Sequence, residues 1–166
     1  MNDSISIFDS PVGPLLARAS HGRLVELSFY HRVSTGAHVA TDADAGSGAV
    51  LEATQAQIME YFAHKRTTFE LPLELRGPTF HQRVWEALCE IPYGKTASYG
   101  QLAAGLGVPD SARAVGAANG ANPIAIIVPC HRVIGADGSL VGYGGGLHRK
   151  RLLLDLESHA TRLALL

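Results

Sequence analysis

The sequence predicts two joined domains, an α/β N-terminal domain in which a small antiparallel sheet is covered by a helix, and an α-helical C-terminal domain built around a helix-turn-helix. Three observations predict it. Short apolar segments separated by turn residues fill the first thirty positions, apolar residues then recur at helical spacing, and LPLELRGP at 71–78, with two prolines and a glycine, divides an acidic half from a basic one. The boundary is placed between domains 1–76 and 77–166. At 166 residues the chain is long enough for two small domains that each bury a modest core.

In order along the chain, SISIF, PLLARAS and RLVELSF read as strands, and SPVG and HG as the turns that make them antiparallel. STGAHVATDADAGSG, residues 34–48, is small, polar and glycine-bearing, and is expected to be a surface loop. AVLEATQAQIMEYFAHK then places Val50, Leu51, Ile58, Met59 and Phe62 at helical spacing, which predicts a helix over one face of the sheet. In the second half TFHQRVWEALCEI carries Phe80, Val84, Trp85, Leu88 and Ile91 on a helical stripe, with Cys89 expected to be structural on or beside it. SYGQLAAGLG and DSARAVGAANGAN are two short helices with Ser98 and Asp110 as expected N-caps, joined by a GVP turn, which together read as a helix-turn-helix. GLHRKRLLLDLE, apolar at Leu152, Leu153 and Leu156, is the expected last helix, and no internal repeat is visible.

Charge and cysteine usage narrow the functional classes. The net charge of −1 argues against a strongly basic nucleic-acid binder, but it divides unevenly: residues 1–76 hold six Lys/Arg against nine Asp/Glu, and residues 77–166 eight against six. The second half therefore permits phosphate contacts. Two cysteines, Cys89 and Cys130, without a CxxC unit, fit a reducing intracellular setting. MNDSISIFDS has no basic leader followed by an apolar stretch, and no apolar run approaches the ~20 residues of a membrane span. The expectation is a cytoplasmic protein.

The second helix of the helix-turn-helix is unusual for a DNA reader. A recognition helix in the major groove projects several long polar side chains, whereas ARAVGAANGA offers Arg113 as its only long cation and Asn119 as its only other polar side chain of any reach. Small residues let helices pack closely; they also make a slim helix that fits the narrow minor groove with one side chain entering the base stack. HRKR at 148–151 opposes the dipole of the last helix in its first turn, so it reads either as a solvated charged face or as phosphate contact. GYGGG at 142–146 lacks the spacing of a nucleotide-binding loop and is expected to let backbone approach a flat ligand.

IIVPCHRVIG, residues 126–135, ends an apolar run and sets proline, cysteine and histidine in succession. A buried cysteine is ordinarily a small apolar filler, and becomes a nucleophile only where a base or positive field favours its thiolate. His131 is the nearest base, but neighbouring side chains of a strand point to opposite faces, so cooperation requires that Pro129 start a turn or that a water bridge the pair. Glu157 is one of few carboxylates in this half able to orient that histidine; an ordinary surface charge is the alternative reading.

Taken in order, IPYGKTASYGQLA, SARAVG, ANPIAIIVPCHRVIG and GYGGGLHRKRLLLDLE closely resemble the O6-alkylguanine-DNA alkyltransferases, strongly over residues 77–157 and in general pattern before that. The resemblance implies a ribonuclease H-like N-terminal domain and a winged helix-turn-helix-like C-terminal domain. It implies Cys130 as acceptor thiol, His131 as the residue that takes its proton through a water, Glu157 as the carboxylate orienting His131, and Asn122 as the brace of the turn before the active site. Tyr99 matches the tyrosine that crowds a DNA phosphate and donates to the flipped guanine. Arg113 matches the finger that fills the vacated stack, with Gly100 and Ala112 at the DNA surface. Val133, Tyr143, Gly144 and Gly145 fall where the family lines the base pocket. The implied reaction is irreversible, single-turnover transfer of an alkyl group from O6-alkylguanine in DNA, with O4-alkylthymine as a further candidate, to Cys130.

The implied partner is double-stranded DNA, held through the minor groove with little sequence preference by a monomer, with cooperative binding left open; no cofactor, metal or membrane is implied. Gly144 stands where some relatives carry serine, leaving only a backbone donor. The cysteine-free N-terminal half implies that the zinc site of some relatives is absent. Relatives that only bind lesions carry tryptophan in place of the acceptor cysteine. At this level a non-catalytic helix-turn-helix regulator and a cysteine hydrolase using Cys130 and His131 remain the alternatives.

Overall fold

Side-chain alternation along the first strand, β1 (Ser4–Phe8), buries Ser4, Ser6 and Phe8 on one face, and β2 (Leu15–Ser20) buries Leu15, Ala17 and Ala19 on the same face. The computed structural model describes residues 3–31, 38–39 and 44–164, and the chain falls into two compact units, Met1–Arg76 and Gly77–Leu166. In the first unit β1, β2 and β3 (Arg23–Phe29) are antiparallel, with Phe8 opposite Leu15 and Ser20 opposite Arg23. The two-residue link between β2 and β3 is His21-Gly22, both at positive φ (50° and 72°), the backbone that matches the twist of a tight hairpin.

The expected loop over 34–48 is corrected at both ends of its described part. His38–Val39 forms a short strand, β4, on the free edge of β1, giving the order β3-β2-β1-β4, and residues 45–48 already belong to helix α1 (Ala45–Phe62). The rest of that segment lies outside the described residues. Asp44 caps α1 by accepting from the Ser47 amide at 2.8 Å, a start signal hidden in a stretch that looks uniformly loop-like. The buried stripe of α1 runs through Val50, Leu51, Thr54, Ile58 and Tyr61 at spacings of three and four. Met59 is 41% exposed and Phe62 only half-buried, because the helical period turns them past the sheet. The segment after the helix returns to the sheet, where Leu24 and Leu73 form a parallel bridge.

In the second unit α2 (Thr79–Cys89) buries Val84, Trp85 and Leu88, followed by Ile91, while Phe80 is half-buried. Cys89, the last residue of α2, lies beside the packed stripe next to buried Leu88 and is exposed. β5 (Ala97–Ser98) leads into α3 (Tyr99–Gly105), whose start is a full capping box between Ser98 and Gln101. Gly107 at φ 76° ends it, with Val108 donating back to Ala103 at 2.9 Å. α4 (Ala112–Gly120) follows, and here the expected cap is shifted by one residue. The Ser111 carbonyl accepts the first helical bond, from Val115 at 3.0 Å, so Ser111 and not Asp110 is the cap, and it makes no side-chain capping bond.

β6 (Val133–Ile134) pairs in parallel with β5, Ala97 opposite Val133. The last helix, α5 (Leu147–Ala164), buries Leu153 and Glu157, leaves Leu156 half-buried and turns Leu152 out to 39% exposure, against expectation. Among the described residues no helix is long and apolar enough to cross a membrane.

Trp85 ties this unit together: its indole Nε1 donates to Ala118 of α4 at 2.8 Å, and the ring lies against the backbone of Gly77. A Cβ at Gly77 would stand 2.5 Å from Cη2 of a ring that is 2% exposed and hydrogen-bonded in place. Gly77→Ala is therefore expected to lower stability by ~1–3 kcal/mol, the usual range for overpacking, in urea denaturation. An unchanged midpoint would show that the segment before α2 moves aside without cost.

Candidate active site

The path from α4 to Cys130 is a pair of three-residue turns. Ile126 sits at φ 71°, a conformation that β-branched residues rarely adopt, and Ile127 donates to Ala125 at 2.8 Å across it. Cys130 donates to Val128 at 2.8 Å across Pro129, whose φ of −83° and ψ of 62° are those of an inverse γ-turn. Asn122 clamps the result: its Oδ1 accepts from the Ile124 amide at 3.0 Å and its Nδ2 donates to the Val128 carbonyl at 2.8 Å. Strain of this kind persists only where surrounding contacts fix it, and residues 124–133 are all buried.

Pro129 thus does start a turn, and Cys130–Arg132 forms one turn of 3-10 helix. In that geometry neighbouring residues no longer face opposite sides as in a strand. His131 is fully buried, and its Nε2 lies 2.6 Å from Oε2 of Glu157, which α5 delivers at 1% exposure. Glu157 is no surface charge. Arg132, absent from the expected site, grips the same carboxylate through Nε to Oε1 at 2.7 Å and Nη2 to Oε2 at 3.2 Å, while its Nη1 donates to the Ile91 carbonyl at 2.7 Å and its guanidinium lies 5.7 Å from the ring centre of Tyr93.

This arrangement fixes protonation states. Burial pushes the Glu157 carboxyl up, but the bonds and charges of His131 and Arg132 outweigh it and hold it at about 2, so it is ionised and can only accept. His131 Nε2 must then carry a proton toward Glu157, which leaves Nδ1 with the lone pair. That atom is buried and has no partner among the described residues. Burial holds the His131 imidazole below its ordinary value of 6.5 despite Glu157, because Arg132 already neutralises the carboxylate. Burial likewise pushes the Cys130 thiol up, opposed by the Asn122 amide, by the Lys150 charge and by nearby backbone N–H groups. At rest the thiol and the imidazole of consecutive residues are both neutral, the protonation states that general-base activation of a nucleophile starts from.

The glycine loop closes the other side. Lys150, fully buried, donates to the carbonyls of Val141 and Gly142 at 3.1 and 3.2 Å, and Arg149 donates to Gly145 at 3.0 Å. Half of the HRKR motif is therefore spent on pinning the loop, and only His148 and Arg151 remain exposed. Gly146, at φ 90°, supplies the left-handed step into α5. Tyr99 donates to the Val141 carbonyl at 2.8 Å, and burial together with the charge Cys130 would carry pushes the hydroxyls of Tyr99 and Tyr143 up, opposed at Tyr99 by a hydrogen bond from the Asn119 side chain. Gly144 is exposed, with open space where a Cβ would stand, so nothing in the loop itself demands glycine there.

Cys130, His131, Glu157, Asn122, Tyr99, Val133, Tyr143 and the 144–145 backbone thus lie on elements that converge in one unit. Gly100 is exposed on α3 and Arg113 on α4, where the other exposed positions are Ala114, Ala117 and Gly120, and Ala112 is half-buried at the start of α4. Arg132 and Lys150 escaped sequence reading. The signal for Arg132 was an arginine inside an apolar run, and Lys150 was masked by three charged or polar neighbours. Among the described residues no group of three or more His, Cys, Asp or Glu side chains is placed to hold a metal ion.

Residues 79–159 match the family model described as 6-O-methylguanine DNA methyltransferase, DNA binding domain, and residues 5–75 match the ribonuclease-like domain of the same family. A Mycobacterium tuberculosis protein named methylated-DNA--protein-cysteine methyltransferase is 54% identical over 155 residues, spanning 90% of this chain and 88% of that one. The chain belongs to the 6-O-methylguanine DNA methyltransferase family. A Methanosarcina barkeri relative of the same name is 44% identical over 94% of this chain and 98% of its own. Among solved structures, M. tuberculosis O6-methylguanine methyltransferase superposes with a TM-score of 0.80 at 44% identity, covering 96% of this chain and 94% of that one. M. tuberculosis OGT in complex with DNA does so with a TM-score of 0.77 at 50% identity, covering 93% and 92%. In this member of the methyltransferase family the ribonuclease-like half is the sheet-and-α1 unit, and the DNA-binding half carries the whole thiol, imidazole and carboxylate constellation.

The buried carboxylate makes a pH prediction. Because its folded value lies near 2 against an ordinary 4.5, its contribution is fully present above pH 4.5 and is lost as pH falls from there toward 2. Glu157→Gln is expected to cost ~3–5 kcal/mol at neutral pH by leaving Arg132 unpaired, and to flatten the acid limb of the stability profile over that window. Parallel acid limbs in variant and parent would assign the acid sensitivity elsewhere.

Proposed function

We propose that this chain repairs DNA by direct reversal, transferring the alkyl group of O6-alkylguanine to its own Cys130 in one irreversible event. The observation that carries the reading is the 2.6 Å bond between His131 Nε2 and ionised Glu157, which leaves the lone pair on Nδ1 free to act as a base in the residue that follows the buried thiol. The fold, the family and the DNA-bound relative support it.

A lesion inside a duplex is out of reach of a buried thiol, so the base must rotate out of the stack. The slim outer side of α4 enters the minor groove, Arg113 fills the gap, and phosphate contacts dominate affinity, so sequence preference is low. Tyr99 hands its hydroxyl bond from Val141 to the base. His131 Nδ1 takes the Cys130 proton through a water, the sulfur forms a bond to the alkyl carbon as the carbon–O6 bond breaks, and the departing guanine takes a proton from the Tyr99 hydroxyl, which is restored from solvent as His131 gives up its own. The product thioether offers no carbonyl to water, so the molecule is spent. O4-alkylthymine presents the same alkoxy carbon and is the secondary substrate. The protein acts as a monomer in the cytoplasm, where reducing conditions preserve its thiols.

Intact-mass measurement after incubation with a duplex containing O6-methylguanine is expected to show one added methyl group, mapped to Cys130, and none on Cys130→Ser, which should still bind DNA. Repeated turnover by pure protein would overturn the single-use mechanism. Arg113→Ala is expected to slow repair in duplex DNA far more than reaction with free O6-benzylguanine, because the unstacking cost it offsets exists only in a duplex. Equal slowing of the two would make Arg113 a support of the pocket or fold.

A further inference from the structure

Arg132 is 6% exposed, and all three nitrogens of its guanidinium are bonded: Nε and Nη2 to the two oxygens of Glu157 at 2.7 and 3.2 Å, and Nη1 to the Ile91 carbonyl at 2.7 Å. The carboxylate it grips is the one that accepts from His131 at 2.6 Å. The groups that act on the imidazole are Arg132 on its own turn and Glu157 and Lys150 on α5. Cys130 precedes it, and Tyr93, Tyr143 and Cys89 are acted on in turn by Arg132 or Glu157, but burial pushes all four of these up, so they are neutral at rest. Glu86 and Glu90 of α2 are exposed. Of the buried charges, Arg132 and Lys150 are positive and Glu157 is negative, which leaves one net positive charge around a neutral His131.

We infer that Arg132 is a positioning residue for the transfer: by taking up the charge of Glu157 through both oxygens, it keeps His131 vacant for the proton that Cys130 gives up. The inference rests on the alkyl-transfer reading above. A carboxylate this close to an imidazole favours the charged ring, and a guanidinium on the same carboxylate offsets that pull. Burial then holds the imidazole below its ordinary 6.5, with Arg132 and Lys150 acting in the same direction. The source of the proton decides the cost. A proton from solvent would raise the cluster to two net positive charges, whereas a proton from Cys130 leaves the sum unchanged, because the thiolate appears together with the imidazolium. Arg132 therefore works against the resting enzyme picking up a proton from water and not against transfer within the pair.

The test follows the His131 ring by NMR in histidine-labelled protein, its signal identified by its loss in His131→Gln, together with single-turnover transfer to Cys130 from a saturating O6-methylguanine duplex across the same pH range. Arg132→Met, similar in length and uncharged, is expected to raise the midpoint of the His131 titration by about one pH unit or more, and to carry the acid limb of the transfer rate upward with it. The deficit in rate should then be large in mild acid and small in mild alkali. Arg132→Lys keeps the charge but cannot grip both oxygens, and should move the midpoint by about half as much or less. Arg132→Met combined with Glu157→Gln removes both charges and should bring the midpoint back to the wild-type value or below it. A purely structural role would leave the midpoint in place and slow transfer alike at every pH; either result overturns the proposal, and so does a rise that survives in the double variant. Should Arg132→Met not fold, Arg132→Lys and the double variant carry the test, and equal midpoints in the two overturn it. No methyl gain by the wild-type protein at any pH would instead sink the alkyl-transfer reading.

Discussion

The shared carboxylate of Glu157 is the interaction on which the rest of the second unit depends. Two elements far apart in sequence, the 3-10 turn at 130–132 and α5, meet through it, and a charge with 1% exposure is tolerable only with strong partners. Arg132 supplies the countercharge in a bidentate grip, the geometry a guanidinium offers and an ammonium does not. That leaves His131 to make a hydrogen bond without having to be charged.

The thiol is prepared by conflict. Burial keeps Cys130 protonated, while the Asn122 amide, Lys150 and the local N–H groups stand ready to favour its anion. A desolvated thiolate formed only when a base removes its proton is a stronger nucleophile than one stabilised throughout, which suits attack on an unactivated alkyl carbon. The left-handed Ile126 belongs to the same logic. An unfavourable backbone step is held by an apolar surround and by the two bonds of Asn122, and it sets Cys130 at the end of the turn.

A lysine that reads as a surface charge is buried as a donor to two carbonyls of the glycine loop, so that loop is held by α5, the helix that also delivers Glu157. Both walls of the site are thus referred to one rigid element, and the helix-turn-helix supplies the third side through Tyr99 and Asn119. Catalytic and recognition groups on helices and pinned turns are held more closely than on free loops.

The sequence by itself determined the strands, the tight His21-Gly22 hairpin, the helix-turn-helix and the ordered motifs around Cys130, because alternation, helical period, turn chemistry and capping act over a few residues. It was misleading where a local pattern had competitors: Asp44 as a cap inside a polar stretch, Ser111 in place of Asp110, and Met59 and Leu152, whose apolar character says nothing about which way the period turns them. Only the tertiary structure decided that His131 and Glu157 meet, that Arg132 shares their carboxylate and that Lys150 is buried. Those are contacts between segments separated by up to dozens of residues, and burial, which sets their charge states, is a property of the packed unit rather than of any stretch of chain.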